Sequence, residues 1–277
     1  MTASTTAPGS GGAVPTVLIG ATGRMGVNIV LQLAQFPQLR LCGATASERS
    51  AALGEDVAAR LGLPPNGVAI SAALPPLLQG AGLAIDFSTA AAAAANVAAC
   101  VAAGVPLLLG TTGLAPELTA PLALAAERIA LLVAPNTSLG LNLLLHLVQA
   151  AARALPAAYD IEIVEAHHRQ KADAPSGTAL ALGTAIAQAR GGTLESMAVY
   201  ARHGGLGTRD PGQIGIVSVR GGDVVGEHEV QFLGEGERLV LRHSVGDRSV
   251  FARGALTAGQ WLARQVPGRY RMSDVFS

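Results

Sequence analysis

Residues 16–26 read Thr16-Val-Leu-Ile-Gly-Ala-Thr-Gly-Arg-Met-Gly26, an apolar run that leads into three regularly spaced glycines. This GxxGxxG pattern is a variant of the dinucleotide fingerprint, in which glycines permit a tight turn, close approach to a pyrophosphate and helix packing against a strand. We therefore predict that this turn binds a dinucleotide, with an ordinary glycine-rich turn as the alternative. The predicted cofactor residues of the turn are Gly20, Ala21, Thr22, Gly23, Arg24 and Met25.

The segments after this turn repeat the same alternation of short apolar runs and helical stretches. Apolar runs recur at residues 39–44, 83–86, 106–109 and 129–133. That alternation is typical of an α/β protein with a Rossmann-type, doubly wound parallel sheet. From about residue 142 a long helix is followed by strands with glycine-rich turns, which predicts a second α+β domain with a mixed sheet.

The predicted domains follow from this change of pattern. Residues 1–14 are predicted to be a disordered tail, and residues 15–138 a dinucleotide-binding domain that residues 249–277 complete. Residues 139–248 are assigned to a substrate-binding and oligomerisation domain.

The composition excludes several classes of protein. Lys plus Arg and Asp plus Glu both number 19, so the sequence lacks the basic excess of a nucleic-acid binder. Apolar runs such as residues 114–135 are interrupted by charges, and residues 1–14 lack a signal peptide's apolar core. Cys42 and Cys100 lie in apolar segments without metal-ligand spacing, which fits a reducing compartment. We expect a cytoplasmic protein that binds neither membrane nor nucleic acid.

Polar residues follow three of the predicted parallel strands. Ligands of doubly wound sheets bind at the carboxyl ends of the strands, so these exits should extend the cofactor site. The additional predicted cofactor residues are Phe87, Gly110, Thr111, Thr112, Ala134, Pro135, Asn136 and Thr137.

The end of the second predicted strand bears on cofactor preference. The acid that holds an NAD ribose is expected about 20 residues after the last glycine, but Ala46 occupies this region. Ser47 and Arg49 follow, and such residues suit the 2′-phosphate of NADPH. We therefore predict NADPH and/or NADH as cofactor, with NADPH favoured; a solvated loop charge at Arg49 is the alternative.

A second cluster spans Glu165-Ala-His-His-Arg-Gln-Lys-Ala-Asp-Ala-Pro-Ser-Gly-Thr178. The preceding residues 159–165 alternate like a strand, so the two histidines and the lysine are predicted to leave its end as a loop. A helix that begins near Ser176 would direct free N–H groups towards an anion. No metal is predicted, because neither HExxH nor a Cys/His cluster is present. The candidate residues are His167, His168, Lys171, Ser176, Gly177 and Thr178.

The combined motifs resemble those of the bacterial 4-hydroxy-tetrahydrodipicolinate reductase family, over residues 17–275. The matching motifs are Gly-Arg-Met-Gly at 23–26, Gly-Thr-Thr-Gly at 110–113, Glu-Ala-His-His-Arg at 165–169, Asp-Ala-Pro-Ser-Gly-Thr at 173–178 and Val-Gly-Glu-His at 225–228. The resemblance implies NAD(P)H-dependent reduction of a small dicarboxylate, 4-hydroxy-tetrahydrodipicolinate, in lysine and diaminopimelate biosynthesis. It also implies a homotetramer that associates through the sheets of the substrate domain.

The resemblance assigns roles to several residues of the second cluster. His167 is implied as an acid/base residue and Lys171 as the proton donor, whereas His168, Gly177 and Thr178 are implied as substrate contacts. The sequence leaves open which of His167 and Lys171 delivers the proton. Three further histidines, His203, His228 and His243, are predicted to be structural or peripheral.

The sequence departs from the family pattern at three positions. Ala46 stands where the family commonly has an acid, Thr137 where it has Phe, and Gln170 where some members have His.

Two other functions remain as alternatives. One alternative function is an NAD(P)-sensing binding protein without catalysis. The other is a thiol-dependent semialdehyde dehydrogenase.

Overall fold

A computed structural model describes residues 12–205 and 207–276 of the chain. Residues 1–11 of the predicted N-terminal tail lie outside this range, and the first strand begins at Val14. Two compact units are present: unit 1 contains the described residues up to Ser138 and from Phe251 onward, and unit 2 is Leu139–Val250.

Unit 1 is built around a parallel sheet with helices. Its strands are β1 (Val14–Ile19), β2 (Leu39–Thr45), β3 (Ile70–Ser71), β4 (Leu83–Asp86), β5 (Leu107–Leu109), β6 (Ala130–Val133) and β12 (Gly268–Tyr270). Its helices are α1 (Arg24–Gln32), α2 (Ala90–Ala103), α3 (Thr119–Ala126) and most of α7 (Ser249–Leu262). Short 3₁₀ helices occupy Leu33–Gln35, Ala59–Leu61, Pro75–Leu78, Pro116–Leu118 and Met272–Phe276.

The seven strands are ordered β12-β6-β5-β4-β1-β2-β3 and all pair in parallel. Every residue of β4 and β5 is buried, as expected for strands covered on both faces. The chain proceeds from β1 to β2 and β3 on one side and resumes with β4 on the other side of β1. This order confirms the predicted Rossmann-type sheet, and its topological switch point lies between the carboxyl ends of β1 and β4.

Unit 2 is a mixed sheet with helices. Its strands are β7 (Asp160–His167), β8 (Ala198–Val199), β9 (Ile214–Arg220), β10 (Gly226–Leu233) and β11 (Arg238–Val245), and its helices are α4 (Leu139–Ala154), α5 (Gly177–Ala189) and α6 (Leu194–Met197). The strand order is β11-β10-β7-β9-β8; β10 is antiparallel to β7 and β11, whereas β9 is parallel to β7 and β8. The predicted second domain with a mixed sheet is thereby confirmed.

The two faces of the mixed sheet differ in polarity and burial. Ile161, Ile163 and Phe232 point to one face and form a buried core with residues of α4 and α5. On the opposite face Val217 and Val219 are each almost half exposed. The alternation along β7 therefore buries every second side chain, as a half-buried strand requires.

The end of β7 differs from the prediction. The strand was predicted to stop at Glu165, but it continues to His167, which pairs with Arg220 of β9. The pairing with β9 and β10 extends the strand, because a polar segment gains regular backbone hydrogen bonds beside two neighbours. Among the described residues, no helix has the length and apolar character needed to span a membrane.

Candidate active site

The glycine turn after β1 is shaped by close backbone approaches. Gly20 has a φ of 84°, and a Cβ there would lie 2.8 Å from the carbonyl oxygen of Phe87. A Cβ on Gly26 would overlap the carbonyl oxygen of Gly20, so only glycine lets α1 begin this close to the turn. Both positions explain why the GxxGxxG spacing is required, and they leave backbone surface available to a pyrophosphate.

A cavity of about 470 Å³ lies beside this turn in unit 1. It collects residues from the turn, from the exits of β4, β5 and β6, and from α7. Its lining residues are Gly23, Arg24, Met25, Phe87, Ser88, Gly110, Thr111, Thr112, Pro135, Asn136, Thr137 and Phe251. Arg24 places a cation and the glycines place backbone at one end, so these residues fit a nicotinamide dinucleotide.

A second cavity of about 360 Å³ adjoins the first, because Gly23, Phe87 and Ser88 line both. Other lining residues are Gly20, Thr22, Thr45, Ala46, Ser47, Glu48 and Asn96. Together the two cavities bring together most of the cofactor residues predicted from the sequence.

Three predicted cofactor residues do not line either cavity. Ala21 and Ala134 are buried beneath them, where their N–H groups donate to the carbonyl oxygens of Thr45 (2.8 Å) and Leu109 (2.9 Å). Arg49 is exposed, and Glu48 lines the second cavity instead. The strand-exit pattern identified loops that line the two cavities, but it did not predict which side chains of each loop face a cavity.

Sequence reasoning missed the buried carboxylate that organises the β4 exit. Asp86 is fully buried and accepts hydrogen bonds from Ser88 N (2.7 Å), Asn96 Nδ2 (2.9 Å) and Thr111 Oγ1 (3.4 Å). Two of these partners, Ser88 and Thr111, line the first cavity. The signal available in the sequence was an acid at the end of an otherwise apolar strand.

The two cysteines are poor nucleophiles. Cys100 is fully buried, and burial together with the charge of Asp86 raises its pKa to about 12. Burial also raises the pKa of Cys42. Because the thiolate is the nucleophile, neither side chain supports thiol catalysis near neutral pH.

Unit 2 contains a separate cluster of polar side chains around Glu165. Its side chain is fully buried and accepts from Arg220 Nη1 (2.8 Å) and Nη2 (2.7 Å), His167 Nδ1 (2.6 Å) and the Ser176 N–H (3.1 Å). Burial raises the pKa of Glu165, but the hydrogen bonds from Arg220, Ser218, His167 and Ser176 outweigh it and lower the pKa to about 2. Glu165 is therefore an ionised acceptor at neutral pH.

His167 is oriented by this carboxylate. An ionised carboxylate can only accept, so Nδ1 of His167 carries the hydrogen and Nε2 of the neutral ring has a free lone pair. Nε2 faces Gly226, where an added Cβ would lie 3.1 Å away. The ring also contacts His228 edge to face, with centroids 5.1 Å apart.

Lys171 lies in the loop between β7 and α5. Its ammonium donates to both carboxylate oxygens of Asp173, at 2.8 and 2.7 Å, and this contact lowers the pKa of Asp173. Arg220 donates to the backbone oxygen of Asp173 at 2.7 Å. The loop that carries Lys171 is thus tied to the same arginine that binds Glu165.

The start of α5 completes the cluster. Ser176 is the N-cap; its Oγ accepts from Ala179 N (3.1 Å) and lies 3.0 Å from Nε2 of His228. Burial lowers the pKa of His228 to about 4, so the ring is neutral at pH 7 and shares a hydrogen bond with the Ser176 hydroxyl through Nε2. Gly177 is exposed at the first helical position, where N–H groups lack intrahelical acceptors.

His168 presents a further polar group without a partner. Its Nδ1 is buried and has no hydrogen-bond partner in the part of the chain that the structure describes. A buried polar atom without a hydrogen bond carries a desolvation penalty, so a ligand that supplies the missing hydrogen bond removes this penalty and binds more favourably.

The structure adds three residues to the predicted candidate residues: Glu165, Arg220 and His228. Glu165 and His228 belong to the quoted motifs, but their burial depends on the pairing of β7 with β10, which the motifs do not reveal. We predicted His228 to be structural or peripheral, and it is buried against Ser176 and His167. Among residues 12–205 and 207–276, no group of His, Cys, Asp and Glu is arranged to hold a metal ion.

Comparison with known proteins gives matches along both units. The family model of dihydrodipicolinate reductase, N-terminus, matches residues 14–137, and that of dihydrodipicolinate reductase, C-terminus, matches residues 140–276. The 4-hydroxy-tetrahydrodipicolinate reductase of Anaeromyxobacter sp. (strain Fw109-5) is 49% identical over 262 residues, covering 95% of this chain and 97% of the relative. That of Thiobacillus denitrificans (strain ATCC 25259 / T1) is 45% identical, covering 95% and 98%.

Solved structures agree with these matches. A dipicolinate-bound dihydrodipicolinate reductase from Paenisporosarcina sp. TG-14 has a TM-score of 0.77 and 25% identity, covering 94% of this chain and 97% of that chain. GenD2 from gentamicin A biosynthesis, in complex with NAD, has a TM-score of 0.60 and 16% identity, covering 98% of this chain and 93% of that chain. At this level of identity the similarity concerns the fold alone.

Proposed function

Because the chain belongs to the dihydrodipicolinate reductase family, we propose that it reduces 4-hydroxy-tetrahydrodipicolinate to tetrahydrodipicolinate with NADH or NADPH, as a step of lysine and diaminopimelate biosynthesis. The observation that carries this proposal is the cluster of His167, Lys171 and the α5 start, in a chain that also has a dinucleotide cavity. A nicotinamide bound there supplies the hydride.

We assign the substrate carboxylates to the α5 start and its surroundings. The N–H groups of Gly177 and Thr178 can hold one carboxylate, and the helix dipole favours negative charge there. His168 offers a buried nitrogen that needs a partner. The Paenisporosarcina relative, with dipicolinate bound, shows that a related protein binds a ring dicarboxylate.

The proton is assigned to Lys171. Its ammonium pairs with Asp173 in an exposed ion pair and has protons to donate. His167, whose Nδ1 hydrogen is committed to Glu165, presents a lone pair at Nε2 and is better suited to accept a proton. After the 4-hydroxyl group has left as water, hydride addition to the unsaturated ring leaves an enamine-like carbon that needs one proton, and we assign Lys171 as its donor.

The lining of the second cavity bears on the choice between NADH and NADPH. The sequence alone predicts a preference for NADPH, on the basis of Ser47 and Arg49. Glu48 lines the cavity and would repel a 2′-phosphate, whereas Arg49 lies outside its lining. We therefore propose that the enzyme uses both dinucleotides, and the predicted preference for NADPH awaits measurement.

The decisive experiment mixes the protein with freshly generated 4-hydroxy-tetrahydrodipicolinate and follows nicotinamide oxidation at 340 nm with each cofactor. Substrate-dependent oxidation supports the reaction, and its absence with both cofactors would leave an NAD(P)-sensing binding protein. A kcat/KM ratio within about tenfold for the two cofactors supports dual use. Glu48→Gln should then shift the ratio towards NADPH, whereas Arg49→Ala should leave it unchanged.

Thiol-dependent dehydrogenation is the second alternative. It requires an accessible thiolate, and neither Cys42 nor Cys100 provides one. Replacing both with serine should leave reductase turnover intact.

Assembly and location are further parts of the proposal. The sheet face that exposes Val217, Val219 and Val240 can bury apolar area by packing against a second copy, in keeping with the predicted homotetramer. A biosynthetic reductase whose two described cysteines are free thiols fits the cytoplasm.

A further inference from the structure

One buried carboxylate, Glu165, contacts three members of the unit 2 cluster. Glu165 accepts hydrogen bonds from His167 and from the backbone N–H of Ser176. The Arg220 guanidinium donates hydrogen bonds to both carboxylate oxygens of Glu165. Its side chain has no exposed area, so these hydrogen bonds replace all of its hydration. Such a group is costly to bury unless each partner is in place, and it therefore fixes the partners' positions.

Three partners of Glu165, namely His167, Ser176 and Arg220, lead to different groups of the proposed reaction. His167 is a proton-transfer group, and Ser176 begins the helix whose N–H groups are assigned to a substrate carboxylate. Arg220 continues to the carbonyl oxygen of Asp173, the residue that pairs with Lys171. A shift of the carboxylate would move all three groups together.

We propose that Glu165 and Arg220 are a pair of positioning residues that hold His167, the Lys171 loop and the α5 start in one arrangement for catalysis. Neither residue is assigned contact with substrate, and the inference rests on the proposed function. Glu165 selects the His167 tautomer with hydrogen on Nδ1 and so keeps the Nε2 lone pair available. Arg220 restrains the loop by one hydrogen bond to the Asp173 carbonyl oxygen while its guanidinium holds both oxygens of Glu165, a planar arrangement that a lysine cannot reproduce.

A purely structural ion pair is the competing explanation, and the same strand supplies a matched control. Glu162 lies on the opposite face of β7 and also binds arginines, Arg202 at 2.9 Å and Arg209 at 3.2 Å. It has no contact with His167 or Ser176 among the hydrogen bonds of the described residues. The effect of removing a β7 carboxylate that binds His167 and Ser176 can therefore be compared with the effect of removing a β7 carboxylate that does not.

The first test uses Glu165→Gln with Glu162→Gln as control. We expect kcat of Glu165→Gln to fall on the order of 10²-fold, while the NADH dissociation constant changes less than about twofold. The second readout is ¹⁵N NMR of labelled histidines, with His167→Gln to assign the His167 signal. Wild type and Glu162→Gln should show His167 protonated on Nδ1, and Glu165→Gln should show mixed tautomers, because an amide can donate as well as accept.

The second test uses Arg220→Lys, which keeps a cation beside Glu165. We expect the His167 tautomer to remain that of wild type, but the substrate KM to rise roughly tenfold because the loop loses its bridge. If Glu165→Gln does not fold, this variant and its KM decide the question.

The outcomes separate this inference from the proposed function. Wild-type protein that never turns over the substrate would overturn the proposed function, and the tautomer comparison would still test the role of Glu165. Active wild type with unchanged kinetics in folded Glu165→Gln, or with an unchanged KM in Arg220→Lys, would overturn the positioning pair. An unchanged tautomer in Glu165→Gln would do the same.

Discussion

Lys171 is the only lysine in the 277-residue sequence, and the other 18 cationic residues are arginines. An arginine remains charged throughout the physiological pH range and does not donate a proton, whereas an ammonium can. A chain that otherwise uses arginine for every cation thus has its single lysine in the loop of the proposed site. That placement favours proton donation over simple charge pairing with Asp173.

This reasoning predicts the effect of Lys171→Arg. The charge next to Asp173 remains, so the substrate KM should change little, but kcat should fall roughly 10²-fold because the proton donor is lost. Steady-state kinetics with saturating NADH measure both quantities. Arg169→Lys, a change at an exposed neighbour, is the control and should keep kcat within about twofold. A near-normal kcat in Lys171→Arg would transfer the donor role to His167.

His228 predicts a pH dependence of stability. Its pKa is lowered to about 4 in the folded chain from 6.5, so the unfolded chain binds the proton first. The stabilisation from the neutral ring is complete above pH 6.5 and is lost as the pH falls towards 4. Urea unfolding should show a decrease of about 2 kcal/mol from this group between pH 7 and pH 5.

The control for this prediction compares two histidine variants. His228→Gln should reduce the pH slope between pH 7 and pH 5, because it removes the titrating ring. His203→Gln removes an exposed histidine and should keep the wild-type slope. Equal slopes in His228→Gln and wild type would show that another group causes the acid sensitivity.

At the scale of single elements, helix α1 depends on its close approach to the turn. A Gly→Ala change inside a helix normally stabilises it by about 0.5–1 kcal/mol. At Gly26 the added Cβ would overlap the Gly20 carbonyl, which belongs to the backbone and cannot rotate away. The overlap outweighs the gain in propensity, so the sign of the effect reverses.

We therefore predict that Gly26→Ala lowers the melting temperature and weakens NADH binding at least tenfold, because α1 must move away from the turn. Calorimetry and fluorescence titration measure the two effects. Gly12→Ala is the control, since a Cβ there meets nothing within 4 Å. Wild-type affinity in Gly26→Ala would mean that the turn tolerates the displacement and does not set the pyrophosphate position.

At the scale of the whole molecule, the exposed face of the unit 2 sheet predicts self-association. Val217, Val219 and Val240 are each about half exposed, and charged substitutions there should oppose burial between copies. Sedimentation velocity should find a tetramer in wild type and smaller species for Val217→Lys with Val219→Lys. Val266→Lys, at an exposed valine of unit 1, should keep the wild-type assembly. A wild-type monomer at micromolar concentration would contradict the predicted homotetramer.

Much of the fold was predictable because it depends on local patterns. Short apolar runs and glycine spacing identified the parallel sheet, the turn after β1 and the change to a mixed sheet. The end of β7 was not predictable, because the segment at His167 is polar and becomes a strand only by pairing with Arg220 of β9. Local propensity has no information about a partner strand that lies more than 50 residues away.

The sequence by itself determined the family, the two kinds of sheet, the loops that line the two cavities and the segment that contains His167 and Lys171. Only the tertiary structure decided that Glu165 is a buried acceptor, that Arg220 and His228 join it, and that Glu48 faces the second cavity in place of Arg49. The reason is physical. Glycine spacing and apolar periodicity act between near neighbours, whereas burial, pKa and hydrogen-bond partners arise from strands that meet after folding.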